Sequence, residues 1–385
     1  RNEIYTKAAE KLIESGNAYW CDCSPETLEI MRNEQSAAGK KPMYDGRSRN
    51  LGLKRSDKTV LRLATPENGE ITVNDLIRGE IKFQNNELDD LILMRSDGTP
   101  TYHLCNVVDD YEQKVTTVIR GEDHISNTPR QIHIQQALGY APLEYAHLPL
   151  VLGEDKKRLS KRHAATSLDE YQAEGYLDVA IINTLARLGW SGGKNEVFNL
   201  EELIRDFDFK EVQKAGAIFD LTKLDWINSQ HLSQLDQTSF KKILLPHIDN
   251  LNIDYSDYNQ LDELIESMRF VKPNLKLIAQ SLVPYIGSFK EYDEKGVKKF
   301  LIGSENILSS VMEMLYALEV WNEDEIDNHL AKLQEKLELP TPKMNQPIRI
   351  ALTGSTQSPS LGLTIKLMGK DKSIDLLKKA LDFLA

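Results

Sequence analysis

Apolar residues change their spacing along this chain, and the change limits the folds open to it. Between about Lys41 and Pro100 they come in short runs at 60–63, 71–73, 81–83 and 91–93. The turn signals Asp57, Pro66-Glu67-Asn68-Gly69, Arg78-Gly79 and Asp97-Gly98 punctuate them. Such runs predict antiparallel strands, since strand side chains face opposite sides in turn and Gly, Pro, Asn and Asp suit tight reversals. Residues 1–40 instead read as helices: Ile4, Ala8, Leu12 and Ile13 recur at helical spacing, and Ser24-Pro25 opens a second helix. From 101 to 152, strand-like runs at 115–119 and 148–152 flank a helix over 129–138 with Thr128 as its cap, a strand–helix–strand pattern. After about 165 the strands fade. The stretches 168–188, 200–207, 261–270, 275–282, 307–319, 323–337 and 374–384 carry the spacing of packed helices.

Composition removes several classes. No stretch approaches the ~20 apolar residues of a membrane span, so no membrane partner is expected. The opening RNEIYTKAAEKLIESG has no apolar core of a secretory signal. Three cysteines, Cys21, Cys23 and Cys105, are too few for a disulfide framework, which predicts a cytoplasmic protein. Forty-seven Lys and Arg against 59 Asp and Glu leave a net charge of −12, so any contact with a polyanion must be local. The first residue, Arg1, already lies inside a helical pattern, and a missing N-terminal segment is expected.

The segment most suggestive of chemistry is Gly153-Glu154-Asp155-Lys156-Lys157-Arg158-Leu159-Ser160-Lys161-Arg162-His163. Five of the seven residues from Lys156 to Arg162 are basic, and a turn precedes them. A loop of this kind can meet charge that develops on an α-phosphate and on departing pyrophosphate. The plain alternative is a solvated basic turn.

The surrounding segments carry a resemblance. Tyr102-His103-Leu104-Cys105-Asn106-Val107-Val108-Asp109-Asp110, Val118-Ile119-Arg120-Gly121-Glu122-Asp123-His124 and Asn127-Thr128-Pro129-Arg130-Gln131 strongly resemble bacterial glutamyl-tRNA synthetases. So do Glu87-Leu88-Asp89-Asp90, Arg187-Leu188-Gly189-Trp190-Ser191, residues 219–226, residues 347–354 and Ser358-Pro359. The basic loop is similar to the KMSKS-type loop of class I aminoacyl-tRNA synthetases. The resemblance implies an α/β plus all-α fold: an incomplete Rossmann-type catalytic domain with a β-rich connective insertion, a helical stem-contact region and an all-helical anticodon-binding half. The expected division is 1–100 for the acceptor-end insertion with a remnant of the first Rossmann half, and 101–152 for the second half. Residues 153–235 are expected to form the loop and stem-contact domain, and 236–385 the anticodon-binding region.

The resemblance also implies roles. Arg120 matches the carboxylate-binding arginine, and its planar fork can grip a carboxylate through two nitrogens, which lysine cannot do. Tyr102 and Asn106 match glutamate-contacting residues, and their i, i+4 spacing puts them on one face of a helix. Lys161 matches the ATP-contacting lysine, with Ser160 and Arg162 as catalytic neighbours. Arg158 stands where lysine is usual. Asp123 and His124 fall where the family lines its ATP pocket, and His147 and Leu148 are expected to face the adenine. For each histidine, a satisfied place in the core stays open.

Two departures accompany these matches. No HIGH-like motif occurs in the 385 residues, so the chain taken alone is expected to be inactive. Some relatives bind zinc through a Cys-x-Cys pair and a later Cys-x-His. Cys21 and Cys23 supply the first pair, but Ser48 and Asn50 stand in the second and ligate zinc poorly, so no metal is expected there. Arg47 and Arg49 are candidates for acceptor-end phosphates of tRNA, against the alternative of a solvated turn.

The expected function is ATP-dependent attachment of L-glutamate to tRNA(Glu) through glutamyl-adenylate, by a monomer using ATP and Mg2+. A non-discriminating enzyme that also charges tRNA(Gln) stays open. So do a non-catalytic tRNA-binding protein and a relative that glutamylates a modified nucleotide. The helical half after 235 counts against the last.

Overall fold

Helix α1 (Asn2–Glu14) buries Tyr5, Ala8, Ala9 and Leu12, a stripe that returns every three or four residues as one face of a helix must. The structure, a computed structural model, describes residues 1–159, 167–289 and 291–385. These fall into two units: Arg1–Arg158 with Leu188–Lys194 and Asp206–Phe219, and Leu159–Arg187 with Asn195–Arg205 and Asp220–Ala385.

In the first unit, strand β1 (Ala18–Cys21) follows α1, inside a stretch whose sequence reads as helical throughout. Its four residues, Ala-Tyr-Trp-Cys, are too few to show an alternation, but aromatic side chains suit a pleated surface. It pairs antiparallel with β2 (Val60–Leu63), from Ala18↔Leu63 to Cys21↔Val60. Between them lies α2 (Pro25–Ala37), which starts where the Ser24 hydroxyl accepts the Thr27 N–H at 3.2 Å.

The run at 71–73 becomes β3 (Glu70–Asp75), and its hairpin partner is β4 (Gly79–Gln84), antiparallel as predicted. The run at 91–93 becomes β5 (Ile92–Met94), which completes a three-stranded sheet β1-β2-β5. The β3–β4 hairpin belongs to a different sheet. Strands β6 (Thr117–Gly121) and β7 (Glu144–Leu148) run parallel, β3 joins β7 in parallel, and the order is β4-β3-β7-β6. Parallel neighbours need a crossover, and α4 (Thr128–Leu138) provides it. It carries Pro129 in its first turn and stops at Gly139, whose φ of 69° suits a residue without a Cβ. Thr128, predicted as the cap, is instead the first residue of the helix and makes no capping bond.

Helix α3 (Tyr102–Glu112) follows β5. Leu12, Leu61, Leu63, Leu93, Leu104, Val108, Ile134 and Leu138 form one core between α1, α3, α4 and the three-stranded sheet. A short parallel pair, β8 (Val151–Leu152) and β9 (Ala217–Ile218), completes the unit.

The second unit is helical. Helices Gln237–Asp249, Leu261–Met268, Leu275–Ile286, Glu305–Ala317, Glu323–Lys336, Thr341–Thr353, Leu361–Met368 and Lys370–Leu384 share a core that includes Phe240, Leu264, Ile278, Val311 and Ile348. No strand occurs among the described residues after Ile218, so the expected order of an α/β part and then an all-α part is observed. Among the described residues no helix is long and apolar enough to cross a membrane.

Phe240 is wholly buried, and the Arg269 guanidinium lies 4.7 Å from its ring centre. Phe240→Ala removes both contacts and is expected to cost about 3–5 kcal/mol by urea unfolding. A loss below about 1 kcal/mol would contradict this account of the helical core.

Candidate functional site

The parallel register of β6 and β7 pairs Arg120 with His147, so both side chains lie on one face of the sheet. Alternation along β3 buries Ile71, Val73 and then Asp75, and Asp75 pairs with Tyr145, two residues before His147. Three strands thereby bring Asp75, His147 and Arg120 together near the carboxyl ends of β6 and β7. In open α/β sheets that is where ligands bind.

The buried end of this group is fully hydrogen-bonded. Asp75 Oδ1 accepts the backbone N–H of Ile77 at 3.0 Å and of Arg78 at 2.8 Å. Its Oδ2 lies 2.6 Å from His147 Nδ1 and accepts the His147 backbone N–H at 3.1 Å. Burial raises the Asp75 carboxyl, but these donors outweigh it and hold the group below the usual carboxylate range. His147 Nε2 faces Arg120 Nε at 3.1 Å. Burial lowers the affinity of His147 for a proton, and although Asp75 opposes this, Arg120 and Arg78 add to it. The balance favours the neutral imidazole, hydrogen-bonded to Asp75. Tyr145 and His147 stack with ring centres 6.2 Å apart, and Arg120 lies 5.7 Å from the Tyr145 ring centre.

His147 is 0% exposed, so of the two places left open for it by the sequence its side chain takes the one in the core. Leu148 is partly buried and pairs with Gly121 at the end of the ladder. Arg120 is only half-buried. Its Nη2 donates to Thr128 Oγ1 at 2.6 Å and to the His124 carbonyl at 3.5 Å, while Nη1 has no hydrogen-bond partner among the described residues.

Several of the predicted site residues lie on α3 and on the segment that follows β6. Tyr102, half-exposed in the first turn of α3, has its ring centre 6.3 Å from that of His124. Asn106, one turn on, accepts from Gln131 Nε2 at 2.8 Å, which leaves its own amide N–H2 for a ligand. Gln131 and Thr128 are i, i+3 neighbours on α4, so a single helix turn steadies both Asn106 and Arg120. His124 Nδ1 meets Asn127 at 3.0 Å. Asp123 Oδ2 accepts from Arg158 Nη1 at 3.0 Å, which anchors the start of the basic loop to the end of β6. The turn at 153–157 closes with Gly153 N–H donating to the Lys157 carbonyl at 2.8 Å. Ser160, Lys161 and Arg162 lie outside the described residues.

Elsewhere in the unit the predicted residues have other duties. Arg49 donates from Nε and Nη2 to Asp90, from Nη1 to Glu67 at 2.8 Å, and from Nη2 to the Thr65 carbonyl at 2.8 Å. All its nitrogens are engaged within the fold, which corrects its reading as an RNA contact. Asp90 is 2% exposed, so Arg49 answers a buried charge. Arg47 is exposed and paired only with its neighbour Asp45, at 2.9 Å, among the described residues.

Cys21 Sγ lies 3.4 Å from the Tyr44 hydroxyl, which in turn accepts the Ser48 N–H at 3.0 Å, and Cys23 Sγ lies 3.7 Å from Ser48 Oγ. Burial raises the Cys21 thiol, but hydrogen bonds from Tyr44 and Ser48 outweigh it and bring it down to about 7. Asn50 is exposed. Two thiols facing a phenol and a hydroxyl do not make a zinc ligand set. Among the described residues no group of three His, Cys, Asp or Glu side chains could hold a metal ion.

Asp75, Thr128, Arg78 and Glu122 were not singled out from sequence. Arg78 pairs with Glu122, whose Oε1 also accepts the Leu150 N–H at 3.1 Å, and this braces the strand ends. The signal for Asp75 was present: it continues the inward alternation of Ile71 and Val73, and a buried acid requires a partner.

His103, His133 and His147 are all pushed below the ordinary histidine value, chiefly by burial. The unfolded chain therefore takes up protons that the folded chain refuses. Their contribution is complete above the ordinary value of ~6.5 and is lost as pH falls below it. Urea unfolding midpoints are expected to fall between about pH 7.5 and about pH 5.5, and a flat or rising profile would contradict the buried neutral imidazoles.

Comparison with known proteins agrees with this arrangement. Residues 1–226 match the family of class I tRNA synthetases (E and Q), catalytic domain, and residues 239–381 match the anticodon binding domain. A solved glutamate tRNA ligase from Elizabethkingia meningosepticum CCUG26117, in complex with its amino acid, is 29% identical with a TM-score of 0.79 over 100% of this chain and 83% of that one. A glutamate-tRNA synthetase from Elizabethkingia anophelis is also 29% identical, with a TM-score of 0.77 over 99% of this chain and 83% of that one. With more than half of its length matched by the catalytic-domain family and most of the remainder by an anticodon-binding domain, the chain belongs to the class I tRNA synthetases of the glutamate and glutamine type, and is a ligase.

Proposed function

We propose that the protein attaches L-glutamate to tRNA(Glu) in two steps. Class I synthetases use ATP. A carboxylate oxygen of glutamate attacks the α-phosphorus, the bond to the β-phosphate breaks, and pyrophosphate leaves with its electron pair. A terminal ribose hydroxyl of the tRNA then attacks the carbonyl carbon of glutamyl-adenylate. That hydroxyl loses its proton, and AMP departs. No covalent bond to the enzyme is needed, so the protein's task is placement and charge stabilisation.

The observation that carries this reading is the half-buried Arg120, with Nη1 open among the described residues and its other nitrogens tied to His147 and Thr128. An arginine held in this way offers a carboxylate a fixed donor at little further loss of side-chain freedom. Tyr102 and Asn106 supply the remaining polar contacts to the amino acid. Asp123, His124 and Arg158 border the ATP side, with Ser160, Lys161 and Arg162 on the loop that meets the phosphates. Mg2+ accompanies the triphosphate. Arg47 is one of the exposed cations of the insertion that can meet the acceptor end, and the helical unit meets the anticodon. A match to an anticodon-binding domain over 239–381 favours a tRNA substrate over a lone modified nucleotide. The alternative, a non-discriminating enzyme that also charges tRNA(Gln), would be decided by anticodon contacts.

In the full-length protein, Arg120→Ala is expected to raise the glutamate KM in tRNA charging by roughly ten- to a hundredfold, the scale of a lost hydrogen bond to a charged group. Arg120→Lys is expected to rescue it only in part, because the fork is lost. An unchanged KM would remove Arg120 from the site. Lys161→Ala is expected to slow adenylate formation while leaving tRNA affinity near that of the parent. Weakened tRNA binding with normal adenylate formation would show that the loop serves RNA rather than ATP.

A further inference from the structure

We propose that Asp75 and His147 are positioning residues for the amino-acid site: Asp75 fixes the tautomer of His147, and His147 fixes the guanidinium of Arg120. This deepens the reading of Arg120 as the carboxylate-binding residue and rests on it.

The argument begins with donors and acceptors. Arginine has no acceptor, so its Nε–H facing His147 Nε2 at 3.1 Å requires a bare lone pair on that nitrogen. A neutral imidazole bare at Nε2 carries its proton on Nδ1, and Nδ1 faces Asp75 Oδ2 at 2.6 Å. This tautomer satisfies both contacts, and Thr128 Oγ1, 3.0 Å from the same Nε2, can turn its hydroxyl proton to the bare nitrogen. Imidazolium would set an N–H against an N–H at Arg120. The other neutral tautomer would do the same, and would also leave a lone pair facing a carboxylate.

Thr128 fits the same assignment. Its Oγ1 accepts from Arg120 Nη2 at 2.6 Å, and its hydroxyl can donate to His147 Nε2 at 3.0 Å or to the His124 carbonyl at 3.4 Å. His147 and Thr128 therefore clamp two nitrogens of one planar group, which fixes the direction of the third, Nη1. Burial makes the arrangement unforgiving. Asp75 is 5% exposed, Thr128 1% and His147 0%, so water cannot replace a lost partner. The low proton affinity of His147 agrees with a ring that stays neutral. None of the three touches the open rim, so Asp75 and His147 act through Arg120 rather than on the substrate.

Asp75→Asn tests the chain of contacts. The introduced amide oxygen is claimed by the N–H groups of Ile77 and Arg78, so the introduced NH2 must face His147 Nδ1 and donate to it. The imidazole proton is then forced to Nε2, opposite Arg120. In the full-length protein, Asp75→Asn is expected to raise the glutamate KM by about tenfold or more, with kcat at saturating glutamate and the ATP KM near those of the parent. The double variant Asp75→Asn/His147→Gln places an amide oxygen opposite Arg120 whatever the new side chain at position 75 donates. It is expected to bring the glutamate KM back to within about threefold of the parent, whereas independent structural damage would multiply. Nitrogen-15 NMR of histidine-labelled protein at neutral pH is expected to show His147 protonated on Nδ1 in the parent and on Nε2 in Asp75→Asn.

The outcomes separate the two claims. If Arg120→Ala raises the glutamate KM but Asp75→Asn does not, the positioning role is overturned and Arg120 keeps its place. If neither variant changes it, the reading of Arg120 fails and takes the positioning role with it. A double variant worse than Asp75→Asn, or a parent His147 protonated on Nε2 or on both nitrogens, overturns the proposal even where a variant fails to fold.

Discussion

Asp75 is a carboxylate held out of water at the end of a strand, and the catalytic sheet is arranged around answering it. Two backbone N–H groups of the β3–β4 turn bind one oxygen. The backbone and ring of His147 bind the other. These bonds do more than satisfy a buried charge. They tie the β3–β4 hairpin to β7, and through the ring of His147 they reach the guanidinium on β6. An uncompensated buried charge of this kind would cost several kcal/mol. The position of Arg120 is therefore set by the requirements of Asp75.

Two arginines show how much meaning depends on which nitrogens are already used. Arg49 and Arg120 have the same side chain and are both partly buried. Arg49 engages all three nitrogens with Asp90, Glu67 and a carbonyl, so it holds the insertion together. Arg120 is clamped through Nε and Nη2, and its Nη1 has no partner among the described residues. The thiols make a parallel case. Cys21 and Cys23 keep the spacing of a metal-binding pair, but a phenol and a hydroxyl stand opposite them, and the segment closes by hydrogen bonds around Tyr44.

Much of the fold was legible because its signals are local. Runs at 60–63, 71–73 and 81–83, bounded by turn residues, became strands, and apolar residues at helical spacing after 235 became one packed core. What stayed hidden depends on pairing across distance. Strand β1 exists because β2 lies beside it, and four residues between two helical stretches carry no period of their own. The β3–β4 hairpin could be predicted from its turn, but its membership in the sheet of β6 and β7 could not, since β7 comes far later in the chain. The site divides in the same way. Tyr102, Asn106, Arg120, Asp123 and His124 lie in contiguous motifs, from which a resemblance can propose them. Asp75 was not, because an isolated Asp acquires meaning only from a histidine 72 positions on. Thr128 looked like a helix cap, and His147 could be an ATP contact or a core residue, for the same reason: sequence shows a residue's type but not the partner that engages it.

The most direct test of the account is charging itself. Full-length protein is incubated with ATP, labelled glutamate and purified tRNA(Glu), and the label carried into acid-precipitable RNA is measured together with AMP and pyrophosphate. The account predicts labelled tRNA(Glu), with one AMP and one pyrophosphate formed for each glutamate attached. Binding of tRNA(Glu) with no label transferred and no ATP cleaved would contradict it, and would leave a tRNA-binding protein built on a synthetase fold.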